Sequence, residues 1–234
     1  MGKNIVIKVG GSLMYKDGLQ LNTVFLDMLK DWYKRNRDNY DMIVIVVGGG
    51  KLSREIGSVV KSHIKNIDDV HSVSMELTQT NAYILKGYIG DKNIFNPESL
   101  GDAYEFLMHG KGTMISGGLK HGWSTDMDAA VFADVIACKK VYKLSDIEGI
   151  YTDDPKKNED ARLISDITWE KYRKMFKISN RNDEHTPNLH IPISVECALF
   201  SENKKITFWV SGGSSIYNRK KLDGAFESGT HIHL

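Results

Sequence analysis

Cysteine is nearly absent from this chain. Cys138 and Cys197 are its only two, and both sit in apolar surroundings. Two isolated thiols cannot supply a disulfide framework, so the fold must rest on its core. No signal-peptide pattern is read ahead of the first apolar strand, and a reducing cytoplasm is the expected compartment. Proline is scarce too, with 4 in 234 residues, and the absence of low-complexity tracts leaves no obvious long linker. No apolar run approaches the roughly 18–20 residues that span a bilayer, so no membrane partner is expected. The net charge is only +1, which removes the electrostatic case for nucleic acid or an anionic membrane surface. The 4 Trp residues are scattered, without an aromatic-plus-basic array. What remains is ordinary globular composition, 41% hydrophobic and 26% charged. That suffices for one large domain or two closely fused lobes.

Within this composition the first dozen residues stand out. Ile5 to Val9 is an apolar strand with Lys8 inside it, running into Gly10-Gly11-Ser12. A Lys in such a strand is costly to bury without an anionic partner. Adjacent glycines let backbone amides approach a ligand, and amides in such a turn form a concavity for an anion. Lys8 could also be an edge-strand side chain reaching solvent; its place before a double glycine favours a phosphate site.

The rest of the chain repeats the design. Residues 21–35 show helical spacing, with Leu21, Val24, Phe25, Met28, Leu29 and Trp32 on one face. Met42 to Val47 is a near-continuous β-branched run, as in a parallel strand covered on both faces. It ends in Gly48-Gly49-Gly50, and the next helix has Leu52, Ile56, Val59, Val60 and Ile64 on its apolar side. A helix is expected over 70–89, a short one from Ser99, and a strand over 113–116 ending in Gly117-Gly118. Thr125-x-x-Asp128 fits a capping box for a buried helix through Ala129, Ala130, Phe132, Ala133, Ile136 and Ala137. Then come a strand over 140–145, a turn or hairpin over 150–155 and a helix from Thr168. A polar, proline-punctuated loop over 179–192 follows. Helices are expected over 194–200 and 216–226, with strands over 206–210, ending at Gly212-Gly213, and 230–234. The alternation of strand and helix argues for an α/β fold. In open α/β sheets, turns at the carboxyl ends of strands gather on one edge, where ligands bind.

Neither a Walker A sequence nor a G-x-G-x-x-G fingerprint is present. Gly48-Gly49-Gly50 alone could be a tight turn with no ligand; recurrence of strand-then-glycines strengthens the ligand reading. Arg54, one turn into the following helix, is either an exposed helix Arg or a fork for a substrate phosphate. Thr125 and Asp126 offer a hydroxyl and a carboxylate, or serve only as cap and favourable helix-end charge. Ser12 has no neighbouring His–Asp partners in sequence. The pairs His231/His233 and His185/His190 come without Cys or carboxylates at zinc-like spacing. Solvated or hydrogen-bonded imidazoles are therefore expected, and no metal site.

Five stretches occur in the order of the amino acid kinase family. They are residues 5–13 (IVIKVGGSL), 46–55 (VVGGGKLSRE), 116–118 with 124–130 (SGG, STDMDAA), 145–156 (SDIEGIYTDDPK) and 229–232 (GTHI). The resemblance covers essentially the whole chain and is greatest to uridylate (UMP) kinases of the short archaeal type. It implies one domain over 1–234, a three-layer α/β/α sandwich with a largely parallel central sheet. An acceptor-binding part would occupy about 1–120 and an ATP-binding part about 121–234. The implied activity is transfer of the γ-phosphate of ATP to an acceptor phosphate, UMP first, with Mg2+. Lys8 and Asp126 would be catalytic. Gly10, Gly11, Ser12, Gly48, Gly49, Gly50 and Arg54 would hold phosphate, and His71, Asn81, Ser124 and Thr125 the acceptor. Ser145, Asp146, Gly149, Tyr151 and Asp154 would face ATP. The family also implies a cytoplasmic homo-oligomer, a hexamer.

The chain departs from the family pattern at several positions. His71 stands about where those kinases carry an Asp that grips the ribose. Glu148 replaces the Asp of their Val-Asp-Gly turn, Asp146 stands near a usual Lys or Asn, and Glu196 falls roughly at another Asp. Two alternatives accompany the UMP reading. One is a kinase for another small phosphate or carboxylate, such as isopentenyl phosphate. The other is a non-catalytic nucleotide- or oxyanion-binding or storage protein on the same fold.

Overall fold

The computed structural model describes residues 3–16, 19–155, 157–179, 191–212, 222 and 226–234. The first half of the chain contains β1 (Asn4–Val9), α1 (Thr23–Asn36), β2 (Met42–Val47), α2 (Gly50–His63), α3 (Ile67–Ile89), β3 (Ile94–Phe95), α4 (Leu100–Met108) and β4 (Gly112–Ser116). The second contains α5 (Thr125–Val135), β5 (Lys140–Ser145), β6 (Ile150–Tyr151), β7 (Leu163–Ile164), β8 (Asp166–Thr168), α6 (Trp169–Met175), α7 (Val195–Lys204), β9 (Thr207–Gly212) and β10 (Thr230–His233). Eight strands form one sheet in the order β3-β4-β2-β1-β5-β9-β10-β8, while β6 and β7 pair apart from it. Every neighbouring pair in the large sheet is parallel except β9 with β10.

Side chains alternate across a strand, and the two faces of the central strands feed two cores. Ile5, Ile7 and Val9 of β1, with Ile43, Ile45 and Val47 of β2, pack against Phe25, Leu26, Leu29, Ala82 and Leu85 of α1 and α3. Val6, Val44, Val46 and Val141 pack on the other side against Ala129, Ala130, Phe132 and Ala133 of α5. A parallel sheet buried on both faces needs such all-apolar strands. The expected three-layer α/β/α sandwich is therefore the architecture found. Lys8 falls in the same alternation class as Val6 and so shares the face covered by α5.

Local signals set several boundaries as expected. Ser99 caps α4 in a reciprocal capping box with Asp102, Thr168 caps α6, and Gly90 ends α3 in the left-handed conformation. Others differ. The buried stripe of α1 is Phe25, Leu26, Leu29, Trp32 and Tyr33, leaving Val24 exposed. None of the residues of α2 is buried, because the helix packs on α3 and the first glycine turn rather than on the sheet. The cap of α5 is Ser124, whose hydroxyl accepts from Met127 N at 3.2 Å, not Thr125. Asp128 turns inward instead and accepts from Leu119 N. The same helix stops at Val135, and Ala137 lies beyond it with φ +54°. The two- and three-residue strands β3, β7 and β8 are too short to show a period. His185, His190, most of the loop expected over 179–192, Gly213 and most of the helix expected over 216–226 lie outside the described residues. Among the described residues no helix is long and apolar enough to cross a membrane.

Candidate active site

β1, β2, β4, β5 and β9 run parallel, so their carboxyl ends share one edge of the sheet, and the glycine turns meet there. The turns after β1 and β2 touch through their backbones. A Cβ on Gly11 would lie 2.2 Å from Gly48 O, and one on Gly50, which has φ +62°, would lie 2.2 Å from Gly11 C. Only glycine permits that approach. The middle of α3 holds the assembly from below. Asn81 donates through Nδ2 to Gly48 O at 2.8 Å and to Gly49 O at 3.3 Å, and accepts from the Tyr15 hydroxyl at 2.7 Å. Gln79 and Thr78 accept from Gly117 N at 2.7 Å and Gly118 N at 2.6 Å. Asn81 is fully buried with both ends of its amide engaged.

Lys8 and Lys143 are register partners on adjacent parallel strands. Their side chains therefore emerge side by side on the α5 face, where Asp126 of the first α5 turn meets both. Lys143 Nζ donates to Asp126 Oδ2 at 2.6 Å, and also to Pro192 O. Lys8 Nζ lies 3.6 Å from Asp126 Oδ1. All three residues are about nine-tenths buried. Burial, with a contribution from Lys143, pulls the Lys8 ammonium down to a pKa of about 8, against the opposing pull of Asp126. Burial alone would raise the Asp126 carboxyl, but Lys143 and Lys8 hold it below the ordinary carboxylate range. The two contacts differ in kind. Lys143 makes a short hydrogen bond, whereas Asp126 Oδ1 has no hydrogen-bond partner among the described residues. At 3.6 Å Lys8 is the more loosely held of the two ammoniums and keeps donors for an incoming oxyanion. A side chain at Gly48 would lie 3.4 Å from both Lys8 Nζ and Thr125 Oγ1. The first α5 turn, the Gly48 turn and the two ammoniums therefore converge, with two cations against one carboxylate.

The remaining residues singled out in the sequence fall around this centre at different depths. Gly10 donates its amide to Leu144 O at 2.8 Å, and Ser12 sits in the short 3-10 turn that follows. Arg54 is exposed on α2, and its side chain makes no hydrogen bond or ion pair among the described residues. Ser124 caps α5 and meets Ser194, at the start of α7, at 2.8 Å. His71 lies ten residues before Asn81 on α3, about 15 Å along the helix axis. It is exposed, with its ring 5.4 Å from that of His121. Ser145 ends β5 beside Gly212 of β9 and donates to Asp146 at 3.3 Å. Gly149 packs against Thr230, Tyr151 pairs in β6, and Asp154 lies within 3.7 Å of Lys157 Nζ.

Lys143 is the functional candidate that motif reading passed over. The signal was available: a second Lys in an apolar strand, costly to bury for the same reason as Lys8. What the sequence does not carry is the register that makes the two lysines neighbours.

A sequence profile of the amino acid kinase family matches residues 3–211. The uridylate kinase of Methanobrevibacter smithii is 32% identical over 166 residues, covering 70% of this chain and 71% of that protein. That of Thermofilum pendens is 30% identical over 173 residues, 74% of each. The structure of the uridylate kinase from Archaeoglobus fulgidus superposes with a TM-score of 0.75 at 21% identity, over 97% of this chain and 100% of that one. The aspartate kinase from Synechocystis gives a TM-score of 0.68 at 16% identity, over 98% of this chain but 39% of that one.

Proposed function

The chain belongs to the amino acid kinase family, and we propose that it transfers the γ-phosphoryl group of ATP to UMP, giving UDP and ADP. The observation that carries this reading is the buried Lys8–Asp126–Lys143 group beside the Gly48 turn. UMP as acceptor rests on the uridylate kinases at 30% and 32% identity.

A phosphate oxygen of UMP attacks the γ-phosphorus as the bond to the ADP oxygen breaks. A dianionic acceptor has no proton to lose, so no general base is needed. Catalysis then consists of positioning and neutralising charge. Lys8 neutralises the transferring group, and the approach of that anion favours the charged ammonium. Lys143 fixes Asp126, and Asp126 orients Lys8. The amides of Gly11, Gly49 and Gly50, with Ser12, meet phosphoryl oxygens, whereas the amide expected of Gly10 is already committed to Leu144 O and Gly10 serves only to shape the turn. Arg54 reaches over the acceptor phosphate as a charge-assisted fork, and its freedom suits closure on arrival. Thr125 and Ser124 contact the acceptor side, Asn81 supports it by holding the Gly48 turn, and His71 stands farther out on α3. Ser145, Asp146, Gly149, Tyr151 and Asp154 line the ATP side. The acceptor part spans about 1–120 and the ATP part about 121–234, with Ser124 and Thr125 at the start of α5 crossing from the second part to the acceptor side.

Both oxygens of Asp126 face ammoniums, so Mg2+ fits this chemistry as an ion carried by nucleotide phosphates rather than by a protein cage. When bound it neutralises phosphate oxygens. A cytoplasmic homo-oligomer, a hexamer, completes the reading. A second reading, another small phosphate as acceptor, is favoured by His71, which presents an imidazole where a ribose-gripping carboxylate belongs. The test is ADP release over a panel of acceptors including UMP, other nucleoside monophosphates and isopentenyl phosphate. UMP is expected to give the highest kcat/KM, and Lys8→Ala to abolish turnover. A different preferred acceptor overturns UMP; ATP binding without turnover on any acceptor overturns the kinase.

A further inference from the structure

The far edge of the sheet carries a second group of chemistry-bearing side chains that phosphoryl transfer does not use. His231 and His233 alternate on β10, so both imidazoles project from one face. Asp166 on the edge strand β8 is the register partner of His231. The sequence separates these residues by more than sixty positions; the sheet brings them together. Asp166 lies between the two rings, with Oδ1 3.4 Å from His231 Nδ1 and Oδ2 2.8 Å from His233 Nε2. Trp209, the register partner of His231 on β9, stacks on it with centroids 4.5 Å apart. His231 in turn stacks on His233 at 5.1 Å. The rings are therefore fixed by the sheet and by one another.

Both ring nitrogens of His233 face oxygen atoms. Its Nδ1 lies 2.8 Å from Leu234 O, and its Nε2 2.8 Å from the Asp166 carboxylate. Both neighbours are acceptors. A neutral imidazole has one N–H and one lone pair, so it satisfies only one of them. The lone pair of the other nitrogen then faces an oxygen, an arrangement that a metal cation set between them satisfies. Lys140, the cation that acts on His231, is itself paired with Glu227 at 2.9 Å. A metal-binding His commonly donates its second N–H to a carboxylate or backbone carbonyl oxygen, which fixes the lone pair toward the ion. The Nδ1 contact with Leu234 O has that form. The ligand atoms of the three side chains all lie within 4.8 Å of one another. Metal–ligand bonds of about 2 Å put neighbouring ligand atoms roughly 3–3.5 Å apart, so small ring and carboxylate rotations suffice.

We propose that Asp166, His231 and His233 bind a first-row divalent transition cation of the Zn2+ type at the β8–β10 edge. Two imidazoles and one carboxylate on a single face leave the remaining coordination positions open to water or an added ligand. Bound there, the ion staples the edge strand β8 to β10.

The test uses the full chain, stripped with chelator and titrated with Co2+ alone as a spectroscopic probe. His121→Ala serves as the background, because Asp68, His71 and His121 also lie close together. One equivalent of Co2+ is expected to bind, with visible d–d absorption, quenching of Trp209 emission and displacement by Zn2+. Asp166→Asn and His233→Ala should weaken binding by about 100-fold, in line with loss of a ligand. Trp209→Phe should lose the quenching and keep the absorption. Should His233→Ala fail to fold by circular dichroism, His233→Gln takes its place. Equal Co2+ affinity in the background and ligand variants, or no saturable binding, overturns the site.

Discussion

Two helices follow strands that end in glycines on the same sheet edge, and they are built in opposite ways. α5 buries eight consecutive residues, Asp126 to Ala133. α2 buries none, and its Val59 is largely exposed. α5 lies over the central strands and delivers Asp126 to two ammoniums that never leave the sheet. α2 rests on α3 and carries Arg54 in solvent. A group that must be placed within fractions of an ångström is mounted on the packed helix. One that must reach for an arriving phosphate is mounted on the loose one. The comparison predicts that substitutions on the two helices fail differently.

The largest effects belong at the α5 end. Asp126→Asn should lower kcat by about 10²–10³-fold and cost roughly 3–5 kcal/mol, since two buried ammoniums lose their counter-charge. Steady-state kinetics and urea melts read the two losses separately, and an Asn variant of wild-type stability would break the comparison. Lys8→Ala should lose activity at least as heavily while removing a buried charge, so its stability loss should be the smaller one.

The next effect is a pH dependence. Burial raises the Asp128 carboxyl to about 7. A folded-state pKa above the unfolded value means that the folded protein holds the extra proton. The stabilisation is complete below about pH 4 and is lost as pH rises through 7, by roughly 4 kcal/mol at most. Asp128→Asn should remove that loss, so urea midpoints for this variant should decline less between pH 5 and 8 than those of wild type. Lys8 has the opposite sign. Its depressed pKa favours the folded state above about pH 10, a contribution lost as pH falls through about 8. In activity, kcat/KM should fall as pH rises past about 8, and Lys8→Arg should flatten that limb.

Smaller effects belong to α2. Arg54→Ala should raise the acceptor KM by about 10-fold or more, the scale of one charge-assisted contact. Its unfolding midpoint should stay within about 0.5 kcal/mol of wild type. A matching fall in kcat with unchanged KM would sharpen the picture differently, by putting Arg54 in the transition state only. Least of all, Val59→Lys should change the stability of the isolated chain by under about 0.5 kcal/mol. A larger loss by thermal unfolding would mean that the exposed face of α2 is covered in solution.

Much of this was legible in the chain. The apolar strands 5–9 and 42–47, the caps at Ser99 and Thr168, and the glycine runs are local signals, and the elements follow them. Lys8 was legible because an ammonium in an apolar strand is an anomaly that demands a partner. The cap of α5 was misplaced by one residue because Ser124 and Thr125 offer equally good acceptor hydroxyls in sequence; only the backbone turn chooses between them. The apolar side of α2 was legible as a stripe, but a stripe does not say what covers it.

The sequence alone therefore determined the longer strands, the glycine turns and the Lys at the centre, since each depends on residues within a few positions of one another, and the family, through the order of five such local stretches along the chain. Tertiary structure decided the pairings. Register made Lys143 the neighbour of Lys8 and set Asp166 between two histidines. Packing chose Asp126 as the shared counter-ion and sent Asp128 inward. Such choices rest on electrostatic and desolvation energies between groups distant in the chain, and those energies exist only once the sheet has brought the groups together.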